Sequence, residues 1–143
     1  MTRSVKGTQT EQNLKTAFAN ESQAVLRYRY FANIAAAAGD GETASIFAVT
    51  AEGDTAQAHE HLRYLLECGP GDPITGMPVQ SMAQALESSI HSETHEHSDV
   101  YPNMAKIARD EGFDEVADWF EFLSKSGRHH ANRYSRALEA LKN

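Results

Sequence analysis

The sequence predicts an all-α fold of four helices, and three observations carry that reading. Glycine and proline are concentrated between Gly69 and Pro78, and the chain on either side is nearly free of them. Those flanks are rich in Ala, Glu, Leu and Gln, the residues that lose least on entering a helix. Apolar residues recur at steps of three and four, and no alternating strand pattern competes with them.

The first helix is expected from about Thr8, where Thr8-x-x-Glu11 reads as a capping box, to about Gly39. Its inward stripe is Leu14, Phe18, Glu21, Val25 and Tyr28. The second runs from about Glu42 to Glu67, with Phe47, Thr50, Asp54, Gln57, His61 and Leu65 on one face. The third begins around Gln80 and presents Leu86, Ile90, Glu93, Glu96 or His97, Val100 and Met104. Pro102 removes a backbone donor there and should kink it. The fourth opens with Asp114 as N-cap and shows Val116, Phe120, Leu123, Gly127, His130, Tyr134 and Leu138.

Tight glycine turns at Gly39-Asp40-Gly41 and Glu111-Gly112-Phe113 join the helices in pairs, and the longer Gly/Pro segment joins the pairs. Two antiparallel helical hairpins connected by a long crossover linker are the plan of a ferritin-like four-helix bundle. The length of 143 residues suits a single domain over residues 1–143 with a true core. Its net charge of −7 argues against nucleic acid or an anionic membrane as partner, since both select basic patches. Cys68 is the one cysteine, so neither an internal disulfide nor a cysteine-based metal site is available. The polar start MTRSVKGTQT lacks a signal-peptide pattern, and no apolar run reaches the ~18 residues of a membrane span. A cytoplasmic location is the default expectation.

Glu21, Asp54, Glu93 and Glu96 sit in or beside apolar stripes, near the middle of their helices. Any one of them alone reads as a half-exposed helix carboxylate. Four at one level of a bundle would repel, so either some are protonated or cations neutralise them. Two divalent metals would cancel four negative charges. Oxygen-rich donors joined by an imidazole, here His130, suit iron or manganese.

These residues lie within segments that resemble the rubrerythrin family, in its short form without a rubredoxin domain. The resemblance runs from Lys6-Gly7 and Thr10-Glu11-Gln12-Asn13-Leu14 through Ala17-Phe18-Ala19-Asn20-Glu21-Ser22-Gln23-Ala24 to Glu93-Thr94-His95-Glu96. It is strongest from Tyr101-Pro102-Asn103-Met104 to Glu111-Gly112-Phe113, and ends with His130-Ala131-Asn132-Arg133-Tyr134. The resemblance implies a non-haem di-iron centre that reduces hydrogen peroxide or oxygen. Its ligands would come from Glu on the first helix, Glu-x-x-His on the second, Glu-x-x-Glu on the third and Glu-x-x-His on the fourth; a related arrangement is a standard example for ferritin-like carboxylate proteins. By position, Glu21, Glu93, Glu96 and His130 match. The second-helix motif falls on Asp54 and Gln57, and the fourth-helix glutamate falls on Gly127. Two of these three departures, Asp54 and Gly127, fall on the glutamates that bridge the metals in that family, and Gln57 stands at the histidine.

The resemblance therefore implies Glu21, Asp54, Gln57, Glu93, Glu96 and His130 as metal ligands, with iron as one or two ions, or manganese or another divalent metal. Water, hydroxide or another small ligand is expected beside Gly127, where a core-facing glycine leaves a void. An external electron donor such as a rubredoxin-like protein would re-reduce the site, and a homodimer is the expected assembly. Two alternatives stay open: a mononuclear or non-iron protein without peroxidase turnover, and a metal-free bundle acting through ligand or protein contacts. Among the remaining histidines, His61 reads as a satisfied core residue. His129 and His91 read as outward-facing, and His97 as reaching the edge of the cluster. Phe18, Tyr28, Phe47, Phe120 and Tyr134 read as core aromatics.

Overall fold

A computed structural model describes residues 3–143. Met1 and Thr2, the first residues of the polar opening, lie outside the described residues. The order of elements is α1 (Gln9–Ala37), α2 (Gly41–Cys68), α3 (Met82–His95), a π-helical turn (Glu96–Val100), α4 (Tyr101–Asp110) and α5 (Asp114–Lys142). No strand occurs among the described residues. α3, the π-turn and α4 follow one another without a gap and make up the third helix of the sequence reading. The chain divides into two compact units, one ending at Pro73 and the other beginning at Ile74. In the first, α1 packs on α2; in the second, α5 packs on α3 and α4.

The first hairpin is fixed at both ends by capping. Thr8 accepts from the Glu11 backbone N–H at 3.2 Å, and the Gly7 N–H donates back to Glu11 Oε1 at 3.0 Å. The return bond thus reaches one residue further out than an ordinary capping box. The bond from Gly7 and then Lys15 at 3.1 Å hold the Glu11 carboxyl below its usual range, although the residue is buried. Asp40 caps α2 by accepting from the Thr43 N–H at 2.9 Å and its hydroxyl at 2.7 Å. Gly39 takes φ +81° in the turn before it, a conformation that side chains with a Cβ rarely adopt. At the other end of α2, a Cβ on Gly69 would lie 2.7 Å from the Leu65 carbonyl oxygen, so that exit accepts only glycine.

Three sequence expectations are corrected. The third helix begins at Met82 with Ser81 as its cap, not at Gln80. The distortion expected at Pro102 is a π-turn just upstream, with proline at the second residue of α4 inside the continuous third helix, where its missing N–H removes one helix bond. Asp114 is the first residue of α5 rather than its cap; Phe113 holds the cap position and offers no side-chain bond. Asp114 instead joins Asp118 and Glu121 around Arg109, whose Nη2 lies 3.0 Å from each of the latter two.

Within each hairpin the most buried seam is made of small residues. Ala35, Ala51 and Ala58 accompany Val25 and Leu65 in the first; Ser88, Ala105, Ala108, Ala117, Gly127 and Ala131 line the second. Small side chains allow close approach of two helix backbones, and the larger stripe residues then flank the seam. Met104, Val116 and Tyr134, expected in the core, are accordingly 41%, 45% and 37% exposed. No described helix is long and apolar enough to cross a membrane.

Candidate metal centre

Each hairpin carries part of the anticipated donor set. On the first, α1 supplies Glu21 and α2 supplies Asp54, Gln57 and His61. Glu21 and Asp54 are half-buried, and Gln57 is exposed. His61 Nε2 lies 2.8 Å from Glu21 Oε2, within ion-pair reach. The alignment is not that of a hydrogen bond, so this buried carboxylate oxygen has no donor pointed at it. His61 is therefore no ordinary core histidine. Its partner is a candidate ligand.

On the second hairpin, Glu93 projects from α3 toward α5, where His130 Nδ1 sits 3.2 Å from Glu93 Oε1. An ionised carboxylate can only accept, which assigns the proton to Nδ1 and leaves the lone pair on Nε2. The Ser126 hydroxyl lies 3.5 Å from that Nε2, one turn earlier on the same helix. Glu96 opens the π-turn. Burial, followed by the nearby Glu93 carboxylate, pushes its carboxyl above the usual range. Tyr101, stacked on Phe120 with centroids 6.4 Å apart, is held protonated by burial and by the charges of Glu96 and Glu93. A surface cavity of about 510 Å³, whose lining includes His95, Glu96, Tyr101 and Met104, gives small molecules a route to Glu96.

Gly127 faces this cluster, and its surroundings are filled rather than void. A Cβ built there would lie 3.1 Å from His97 Cβ and 3.3 Å from Glu93 Oε2. The Ser124 hydroxyl donates to the His97 carbonyl at 2.6 Å, tying the π-turn to α5 just before Gly127. His97 Nδ1 is buried and has no hydrogen-bond partner. His91 and His129 are exposed, as their spacing suggested.

The rubrerythrin family model matches residues 12–138, which is most of the chain. This chain belongs to the rubrerythrin family. It is 38% identical over 138 residues to a rubrerythrin of Nitratidesulfovibrio vulgaris, covering 92% of this chain and 70% of that protein. A rubrerythrin of Porphyromonas gingivalis is 36% identical over 141 residues, covering 96% and 70%. Rubrerythrin-1 of Clostridium acetobutylicum is 34% identical over 148 residues, covering 97% and 74%.

A divalent cation fits the donor types this rubrerythrin-family chain presents. Glu21 keeps a buried oxygen without a donor, and Glu96 is a carboxyl whose charge is disfavoured until something positive approaches. The doubly bridged arrangement fits less well. Gly127 brings no donor, and the volume beside it holds His97 and Glu93. Among the described residues, no three His, Cys, Asp or Glu side chains converge closely enough to hold a metal ion without movement. The structure brings together Glu21 with His61 and Glu93 with His130. Three features escaped the sequence reading: the partnership of His61, the proximity of Tyr101, and the seating of His97 against Gly127. Only His61 left a signal, one turn beyond Gln57 on the inward stripe.

Proposed function

We propose that this chain is a metal-binding oxidoreductase of the rubrerythrin type, with Glu21, Asp54, Gln57, Glu93, Glu96 and His130 as ligands to one or two non-haem iron ions. Iron held there would supply electrons to hydrogen peroxide or oxygen, two ferrous ions giving the two electrons that one peroxide takes, and an external donor such as a rubredoxin-like protein would replace them. Manganese or another divalent metal is the alternative occupant. The observation that carries the reading is Glu21, whose buried Oε2 has His61 Nε2 2.8 Å away and no aligned donor. A carboxylate withdrawn in that way is stabilised by a cation.

The protein's own groups have definable tasks. Glu93 orients the His130 ring through Nδ1–H and leaves Nε2 free to bind. Glu96 holds a proton to higher pH than an ordinary carboxyl and releases it when a positive charge arrives. Tyr101 keeps its phenolic proton beside those carboxyls. The working form proposed is a cytoplasmic homodimer. Exposed Leu26 and Ile34 on α1 and Ile107 and Trp119 on the second hairpin support association with a second copy.

Metal content measured by inductively coupled plasma mass spectrometry, before and after anaerobic ferrous loading, tests this reading. At least one iron per chain is expected, reduced in Glu21→Gln. A chain that retains no metal and whose melting temperature ignores added metal overturns it. A second reading is favoured by the filled space at Gly127: one metal per chain and no peroxide turnover. Consumption of peroxide by the iron-loaded protein with a reduced donor separates the two.

A further inference from the structure

We infer that His91 and His95 form a capture site for a first-row divalent metal ion at the mouth of the cavity that leads to Glu96. Both lie within α3 and are four residues apart. That spacing puts their Cβ atoms roughly 5–6 Å from each other on one ridge of the helix, so both rings can reach one ion. Two histidines at the same spacing hold the zinc of the H-E-x-x-H helix. Neutral imidazole suits zinc, copper, iron and nickel. Both side chains are exposed, so packing does not lock either ring. The site stands on the geometry of α3; only the onward transfer of its ion to Glu96 rests on the metal reading proposed above.

Three features separate this pair from two solvated histidines. Both rings line the same cavity of about 510 Å³, whose wall continues to Glu96 and Tyr101. Carboxylates flank the pair at the same spacing, Glu87 four residues before it and Asp99 four residues after it. Asp99 Oδ2 lies 3.7 Å from His95 Nδ1. That is too long for a hydrogen bond, yet a carboxylate there draws the ring proton to Nδ1 and leaves the Nε2 lone pair for an ion. The field of these carboxylates favours a cation and opposes an anion. The hydroxyls beside the rings are already engaged: Ser92 donates to the Ser89 carbonyl at 3.1 Å, and Thr75 shares a 2.6 Å bond with Ser88. The imidazoles and Glu96 are therefore the strongest donors that the cavity offers a cation. Glu96 follows His95 in the chain, so an ion held by the two rings can pass to its carboxylate without returning to bulk solvent. Two protein donors leave the ion's remaining positions to water, and it is held loosely enough to move on.

Zinc titration tests the site. In the chain carrying isotope-labelled histidine, the NMR signals of His91 and His95 should move together over a single binding step. By calorimetry, the double variant H91A/H95A should take up one zinc ion fewer per chain than the parent, with the Tm of the metal-free protein unchanged because both side chains are exposed. Asp99→Asn should keep the ion but weaken its binding about tenfold, the lower end of the loss when the partner of a ligating imidazole is removed. Histidine signals that move independently, or equal zinc uptake by parent and H91A/H95A, would overturn the site. Timed anaerobic ferrous loading, quenched with chelator and read as iron content, tests the transfer. H91A/H95A should fill more slowly than the parent and reach the same final content; filling at the parental rate would overturn the capture role. A chain that binds zinc at the pair and takes up no iron would overturn the metal reading and leave the cation site standing.

Discussion

His61 Nε2 sits 2.8 Å from Glu21 Oε2, the buried oxygen that no hydrogen-bond donor addresses. In the metal-free chain His61 is the group able to offset that carboxylate's charge; in the loaded chain the metal takes over. Replacing His61 with leucine should therefore destabilise the metal-free protein. The side chains are 26% and 25% exposed, so solvent shares the burden and the loss stays near ~1 kcal/mol. Thermal melts of His61→Leu in chelator and in saturating manganese check this. The deficit should shrink when metal is present; an equal deficit in both would mean that Glu21 does not bind it.

Glu96 gives the chain a pH dependence of the less usual sign. Its folded carboxyl binds a proton more tightly than the ordinary value of 4.5, through burial first and Glu93 second. The folded state then holds more protons than the unfolded one, so this group's contribution falls as pH rises through the raised value. Glu96→Gln removes the penalty. At pH 7, in chelator, the variant should melt above the parent. The gap should narrow as pH falls toward 4.5 and vanish below it. A gap independent of pH would point to packing instead of charge.

The start of α1 and the turns within each hairpin were legible because their signals are local, whereas the caps at Ser81 and Phe113 were not. Thr8, Glu11, Asp40 and the two turn glycines act within a few residues of themselves, and spacing alone exposes them. The same holds for Glu21, Glu93 and His130, which fall on apolar stripes of unbroken helix. The region from Glu96 to Val100 was not legible, since a 3.6-residue period cannot be carried through a π-turn. His97 was therefore placed only at the cluster edge, and Gly127 was read as a void when it is a close contact. The burial of alanines in preference to Met104, Val116 and Tyr134 was also hidden. A stripe shows which face of a helix is apolar, but not which rank of residues on that face meets its own hairpin partner.

The cap of α1 centres two bonds on Glu11, one from its own N–H to Thr8 and one from the Gly7 N–H to its carboxylate. Thr8→Ala removes the acceptor for the Glu11 N–H and should cost about 1 kcal/mol, the typical value for losing such a cap. Glu11 keeps its bond from the Gly7 N–H and its ion pair with Lys15. Destabilisation by Glu11→Ala should therefore exceed that by Thr8→Ala. Urea denaturation of both variants measures the difference, and the reverse order would place the stabilisation in the threonine cap.

Ser124 is the anchor of the π-turn, since its hydroxyl donates to the His97 carbonyl across the seam of the second hairpin. Ser124→Ala gains a little helix propensity and loses this part-buried bond, for a net cost of about 0.5–1 kcal/mol. The more telling effect is local. Without the anchor, the turn is free to rewind toward an α-helical register, and the backbone amides following His97 lose protection. Hydrogen exchange followed by mass spectrometry should show faster exchange in the segment from Glu96 to Tyr101, with little change in α1 and α2. Faster exchange spread over the whole chain would mean that the variant lowers global stability only. Unchanged exchange in that segment would mean that the π-turn is held by its flanking helices and needs no anchor from α5.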